Sequence, residues 1–226
     1  MRSIKTFAGA ALLAVSISTV ASGQAGRPFH DSWFWGLKSG AMSYGSYDPL
    51  APTVGKYNLA PFAGVDWLIT RTNGGLYMSF SQAFVKTTGV ILNGPTSADS
   101  GYRAVDASGL RRFDLMAMAF PGQYVRFHPY IGFGFSFKYV SDAEPAGPFP
   151  SQKQVDYAAS AVNDVKAGMG PAFIGGAQYR LKRVSVFGQA IMSSVGKDFL
   201  LANGHTMSLS AEFGLRYNIG TSIDEK

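Results

Sequence analysis

The sequence of 226 residues contains no cysteine. Small secreted domains with thin cores lean on disulfides, so this chain must hold together by other means, and thiolate metal centres and thiol nucleophiles are excluded. Charge is scarce as well: Asp, Glu, Lys and Arg make up 15% of the chain, against about 25% in an ordinary soluble domain. The three histidines, His30, His128 and His205, are far apart and the acids are spread singly, so no metal-ligand spacing is present. There is no glycine-rich phosphate loop. No basic stripe interleaved with aromatics occurs either, so nucleic acid is not an expected partner. No cofactor is expected. Beyond the first two dozen residues there is no apolar run of the roughly 18 or more needed for a transmembrane helix. A membrane protein with this sequence must therefore cross as a closed β-barrel, since an open sheet edge in lipid leaves backbone groups unpaired.

What the chain does have begins at its N-terminus, MRSIKTFAGAALLAVSISTVASGQAG. Arg2 and Lys5 precede an apolar stretch from Phe7 to Val20, and Ala21-Ser22-Gly23 offers small residues. This is the layout of a secretory signal peptide, residues 1–23, with cleavage expected after Gly23 and Ala25 as the second choice. Its removal takes away two positive charges and leaves 18 basic against 14 acidic residues, a net charge of +4. A short periplasmic segment, 24–31, would follow.

Aromatic residues reach 14%, and their spacing is informative. In RFHPYIGFGFSFKYV (126–140) Phe127, Pro129, Ile131, Phe133, Phe135, Phe137 and Tyr139 take every odd place. Period 2 means a strand with one greasy face and one small or polar face. At roughly 3.3 Å per residue the run is about 40 Å long, and tilted by about 45° it spans about 28 Å, the thickness of bilayer hydrocarbon. Seven further segments alternate: 33–43, 61–70, 76–84, 111–120, 170–181, 184–193 and 207–219. Phe34 and Ser39 in 33–43, and Phe187 and Ile191 in 184–193, fall on the wrong face. Asn73-Gly74 marks a tight hairpin. Loops expected near 45–57, 86–109, 141–163 and 195–204 are long, while turns near 71–75, 121–123 and 181–183 are short. Outer-membrane barrels have this alternation, with the short turns and both termini in the periplasm. The expected fold is all-β: an eight-stranded antiparallel up-and-down transmembrane barrel over 32–219, with a periplasmic tail at 220–226.

PYIGFGFSF (129–137) and WFWGLKSG (33–40) resemble strands of the eight-stranded outer-membrane β-barrel family that includes outer-membrane protein A, protein X and opacity-type surface proteins. The last strand is more specific. Glu212-Phe213-Gly214-Leu215-Arg216-Tyr217-Asn218-Ile219 is similar to that family's C-terminal assembly signal, with Glu212, Gly214, Tyr217 and Ile219 at its marked positions. It departs from the family in ending on Ile219 rather than an aromatic residue, with seven residues beyond. The resemblance implies insertion by the barrel assembly machinery and contact with outer-membrane lipid and lipopolysaccharide.

An eight-stranded barrel is just filled by its own side chains. Parity sends Lys38, Asp66, Arg112, Asp114, Arg126, His128, Glu212 and Arg216 inward, together with Lys138, Gln178 and Arg180. The bland expectation is a plug of paired charges, since buried charges must be paired; the sharper one is a narrow gated conduit. Trp33, Trp35, Trp67, Tyr139, Tyr179 and Tyr217 suit aromatic girdles at the membrane interfaces.

The functional expectation is a monomeric, non-enzymatic surface protein with long external loops for adhesion or partner recognition. Two alternatives stand beside it. One is a lipid A-modifying enzyme, for which His205 is the candidate base, although parity separates it from Ser208. The other is a soluble lipocalin-like barrel with its aromatics turned inward around an apolar ligand.

Overall fold

A computed structural model of the protein describes residues 29–46, 56–72, 74–93, 101–121, 126–202 and 205–221. The leader and both candidate cleavage positions lie outside the described residues, as do most of the 24–31 segment and most of the tail. Eight strands form one closed barrel in sequence order: β1 (Ser32–Ser46), β2 (Lys56–Thr70), β3 (Gly74–Asn93), β4 (Gly101–Ala119), β5 (Phe127–Pro145), β6 (Ala167–Leu181), β7 (Val184–Ser194) and β8 (Met207–Thr221). Every neighbour is antiparallel, and β8 closes on β1 from Ser32↔Thr221 to Met42↔Ser210. One helix, α1 (Gln152–Val165), lies between β5 and β6. No helix among the described residues is long and apolar enough to cross a membrane.

The burial pattern follows the period-2 reading. Along β8 exposed and buried residues alternate from Met207 to Ile219, broken only at Gly214. Outward rows are apolar and open: Phe133 is 67% exposed, Phe135 58% and Phe213 65%. Their inward neighbours Ser136, Lys138, Ser210 and Glu212 are buried. The soluble binding barrel is thereby overturned, because its aromatics would have to face inward.

The small faces have a steric cause. A Cβ on Gly134 would lie 2.0 Å from the Leu115 carbonyl oxygen across the β4–β5 ladder. One on Gly214 would lie 2.1 Å from the Leu37 carbonyl oxygen at the β1–β8 seam. Both strands can approach there only because these positions carry no side chain.

Three boundaries differ from the sequence expectation. The region 86–109, expected as a loop, is mostly ladder, paired from Lys86↔Ser108 to Asn93↔Gly101. A register shift between Ala83 and Lys86 and a left-handed Gly109 (φ 68°) break the phase. Val105 and Ala107 are buried before the break, Leu110 and Arg112 after it. A fixed two-residue template loses the strand at such a bulge. The expected loop 141–163 contains the end of β5 and most of α1, whose buried stripe is only Ala158 and Val162. Such a stripe is too narrow to announce a helix. Finally, Phe187 and Ile191, the faults in β7, are lumen residues, 2% and 0% exposed.

Candidate functional site: a lumen sealed at both ends

The inward side chains sort into three levels. The middle level is a polar belt. Lys38 Nζ donates to Tyr77 Oη (3.1 Å), Ser79 Oγ (2.9 Å) and Glu212 Oε2 (3.0 Å). Ser79 Oγ passes the chain on to Asp114 Oδ2 at 2.8 Å. Arg112 pairs with Glu212 and donates to Ser210 Oγ at 2.8 Å. Its Nε also stands 3.0 Å from Asp114 Oδ2, a charge contact without hydrogen-bond alignment. On the turn side of the belt, Arg216 donates from Nε and Nη2 to Asp66 and from Nη1 to Gln178 Oε1 (2.9 Å), with its plane 3.8 Å over the Phe187 ring. Gln189 joins the two halves. Its amide donates to Tyr77 Oη (2.8 Å) and Glu212 Oε2 (2.7 Å), and its carbonyl accepts from Tyr130 Oη (2.7 Å) and Arg216 Nη2 (3.0 Å).

Three cations, Lys38, Arg112 and Arg216, thus meet three carboxylates, Asp66, Asp114 and Glu212, and all six side chains are essentially inaccessible. Dense pairing with secondary hydrogen bonds is what makes buried charge tolerable. Lys138 breaks the balance. It is 2% exposed and no carboxylate lies within ion-pair distance among the described residues. Its place in the ladder is beside Arg112, on the rung Ser81–Arg112–Lys138. Ser81 Oγ and Ser136 Oγ on the same wall lack a protein partner.

The two remaining levels are apolar. At the turn end Phe29 stacks on His128 (3.9 Å between ring centres, 9°) and packs on Phe34 and Phe120. Thr70 Oγ1 holds this segment by donating to the Phe29 carbonyl at 2.5 Å. At the loop end Ala158 and Val162 of α1 and Val195, Phe199, Leu200, Leu201 and Ala202 close over Met42, Phe62, Val105 and Leu110. Backbone bonds tie the two cap pieces together, Leu200 N–H to the Val165 carbonyl (2.8 Å), and the cap to the wall, Gly45 N–H to the Leu201 carbonyl (2.9 Å) and Val140 N–H to the Lys166 carbonyl (2.9 Å).

Of the inward residues read from the sequence, Lys38, Asp66, Arg112, Asp114, Glu212 and Arg216 meet in the belt. Arg126 and His128 do not. His128 belongs to the turn-end cork, and Arg126 sits half-buried at the turn-end rim, where its carbonyl accepts from Arg180 N–H at 2.8 Å. Tyr77, Tyr130, Ser79, Gln189 and Ser210 complete the belt. Parity places them inward too, but they are uncharged and a search for ion pairs passes over them. Glu212 therefore serves the belt, while Tyr217 and Ile219 face outward at 48% and 49% exposure. His205 stacks on Tyr57 at 3.9 Å between ring centres, while Ser208 Oγ donates to the Ser43 carbonyl at 2.7 Å. Base and hydroxyl are thus committed to different neighbours. No group of three or more His, Cys, Asp or Glu able to hold a metal occurs among the described residues.

A closed eight-stranded barrel with an apolar exterior and a polar, side-chain-filled interior is the outer-membrane architecture. The chain has the fold of the small outer-membrane β-barrels. Several solved structures are similar to it. Neisserial surface protein A matches with a TM-score of 0.50 at 13% identity over 82% of this chain and 97% of its own. Outer-membrane protein AlkL, determined in lipid bilayers, matches with a TM-score of 0.43 at 14% identity over 92% and 99%. The outer-membrane protease OmpT of Escherichia coli matches with a TM-score of 0.37 at 10% identity over 87% and 99%. No protein-family model matches the sequence, and no curated protein does. Resemblance at this identity concerns fold, and function must be argued from the site.

Proposed function

We propose that the protein is a monomeric, non-enzymatic surface barrel of the outer membrane. Its lumen is closed, and the loop end is offered to external partners. The observation that carries this is the lumen itself: a belt of three ion-paired cations and anions, corked by Phe29 and Phe120 on one side and capped by α1 and residues 195–202 on the other. Such a filling among the described residues favours the plug over the gated conduit. The separate commitments of His205 and Ser208 favour a structural role over lipid A chemistry.

In this reading the leader 1–23 is removed on export, and the short turns and both termini face the periplasm. The barrel assembly machinery recognises β8 through Glu212, Gly214, Tyr217 and Ile219, and the outward aromatics meet lipid and lipopolysaccharide.

Heat-modifiable gel mobility of the protein extracted from membranes tests the barrel. Recovery as a soluble periplasmic protein without detergent would overturn it. Accessibility tests the faces: Phe133→Cys should react with a lipid-soluble label, and Ser136→Cys should be protected from both lipid-soluble and water-soluble labels. In planar bilayers the wild type should give no steady conductance, and an ohmic open state would remove the closed-lumen reading.

A further inference from the structure

Charge is distributed unequally between the two ends. Among the described residues the turn end carries Arg71, Arg126, Arg180, Lys182 and Arg183 against the single acid Asp31, which pairs with Arg71 at 3.6 Å. On the loop side of the belt seven basic side chains face six acidic ones. Among the described residues the positive excess is therefore not scattered. It is collected at the turn end, and the exposed part of it is Arg71, Lys182 and Arg183.

These three stand directly beyond the lipid-facing belt. The rung Trp67–Trp35–Tyr217–Val184 runs across β2, β1, β8 and β7 close to the turn end. Arg183 precedes Val184 in the β6–β7 turn and its carbonyl accepts from Asn218 N–H at 2.8 Å. Arg71 closes the hairpin that follows Trp67 and Ile69. Arg71 lies four residues past Trp67, and Lys182 and Arg183 three and four past Tyr179, so all three stand beyond the interfacial aromatics, toward the lipid headgroups. Lys182 adds a second sign. It occupies left-handed backbone (φ 59°) in a two-residue hairpin, where Asn or Gly would cost less. The turn gives up stability to place an ammonium there.

We propose that the turn end docks onto the phosphate headgroups of anionic phospholipids in the leaflet it enters, with Lys182, Arg183 and Arg71 as the contacts. Basic side chains at an anionic membrane surface are each worth about 1 kcal/mol. The inference rests on the reading that the apolar belt faces lipid, and the two can be tested apart.

The three tryptophans of the chain, Trp33, Trp35 and Trp67, lie together at this end, with ring centres 4.9 and 5.5 Å apart along the cluster. Their fluorescence thus reports the lipid around the turn end alone. The full-length mature protein is reconstituted in vesicles of phosphatidylcholine and phosphatidylglycerol, with one or the other brominated on its acyl chains. Quenching should indicate a preference for phosphatidylglycerol of roughly fivefold, the ratio that about 1 kcal/mol implies. The preference should fall toward unity in Lys182→Asn/Arg183→Gln, while quenching by brominated phosphatidylcholine stays as in the wild type. Asparagine suits the left-handed turn position, so this variant should fold. Equal quenching by both lipids in the wild type, or an undiminished preference in the variant, would overturn the docking and leave the barrel standing. Quenching by neither lipid would overturn the barrel and the docking together.

Discussion

The belt and the loop-end cap close the same lumen with opposite chemistry. In the belt the groups are polar, come from strands and, apart from the wall around Lys138, are tied into one network; Glu212 alone meets Lys38, Arg112, Gln189 and Ser210. In the cap the contacts are Val, Leu, Phe and Ala from a helix and a loop, with a few backbone bonds at the edges. The belt is therefore specific but intolerant, since removing one member leaves charge stranded. The cap is tolerant but separable, since its packing can loosen without disturbing the ladder beneath. A barrel wall built of 11 to 20 residue strands supplies the stability that lets the cap be local.

Three substitutions probe that contrast. The largest effect belongs to Glu212→Ala, which strands Lys38 and Arg112. It should cost roughly 3–5 kcal/mol in the urea-dependent folding equilibrium in bilayers, and a loss under about 1 kcal/mol would mean that the belt does not act as a unit. Leu200→Ala should cost about 3 kcal/mol of cap packing. The loss should appear as faster tryptic cleavage near Lys166 and Lys197, with the gel shift of the barrel unchanged; a global loss of heat modifiability would erase the distinction between cap and wall. The smallest effect is expected at Lys138→Met, which removes the one belt-level cation without a carboxylate at ion-pair distance and should leave folding within about 1 kcal/mol of the wild type or slightly stabilised. A loss as large as that of Glu212→Ala would place Lys138 in a pairing that its geometry does not indicate.

The same contrast explains what could be read from the sequence. The belt was legible because strand parity is local: in β8 the alternation alone sends Glu212 and Arg216 inward, and in β4 Arg112 and Asp114. Which cation meets which anion was not, because Arg216 finds Asp66 across 150 positions of sequence and Lys38 finds Glu212 across 174. Only register brings them together. The cap was illegible for a different reason. Ala158, Val162, Phe199 and Leu200 carry no periodic signal long enough to stand out, and each becomes apolar core only once the others are present. Phe187 and Ile191 illustrate the same point inside the wall. They look like errors of alternation because the template assumes a polar lumen throughout, whereas apolar side chains enter it too: Ile191 belongs to an apolar cluster with Ala172 and Ile174, and Phe187 lies against Arg216. Arg126 and His128 lie at the turn end and outside the belt, since parity gives the face of a strand and says nothing of height.

The construction of the cap also sets an order in time. Its pieces come from β1 to β5, α1 and the segment before β8, and Gly45 N–H meets the Leu201 carbonyl close to the seam where the first strand joins the last. Contacts so distant in sequence form late, because chain closure must precede them. The cap is therefore complete only once the ring is. Its acquisition of protease resistance is a clock that starts when β1 and β8 meet.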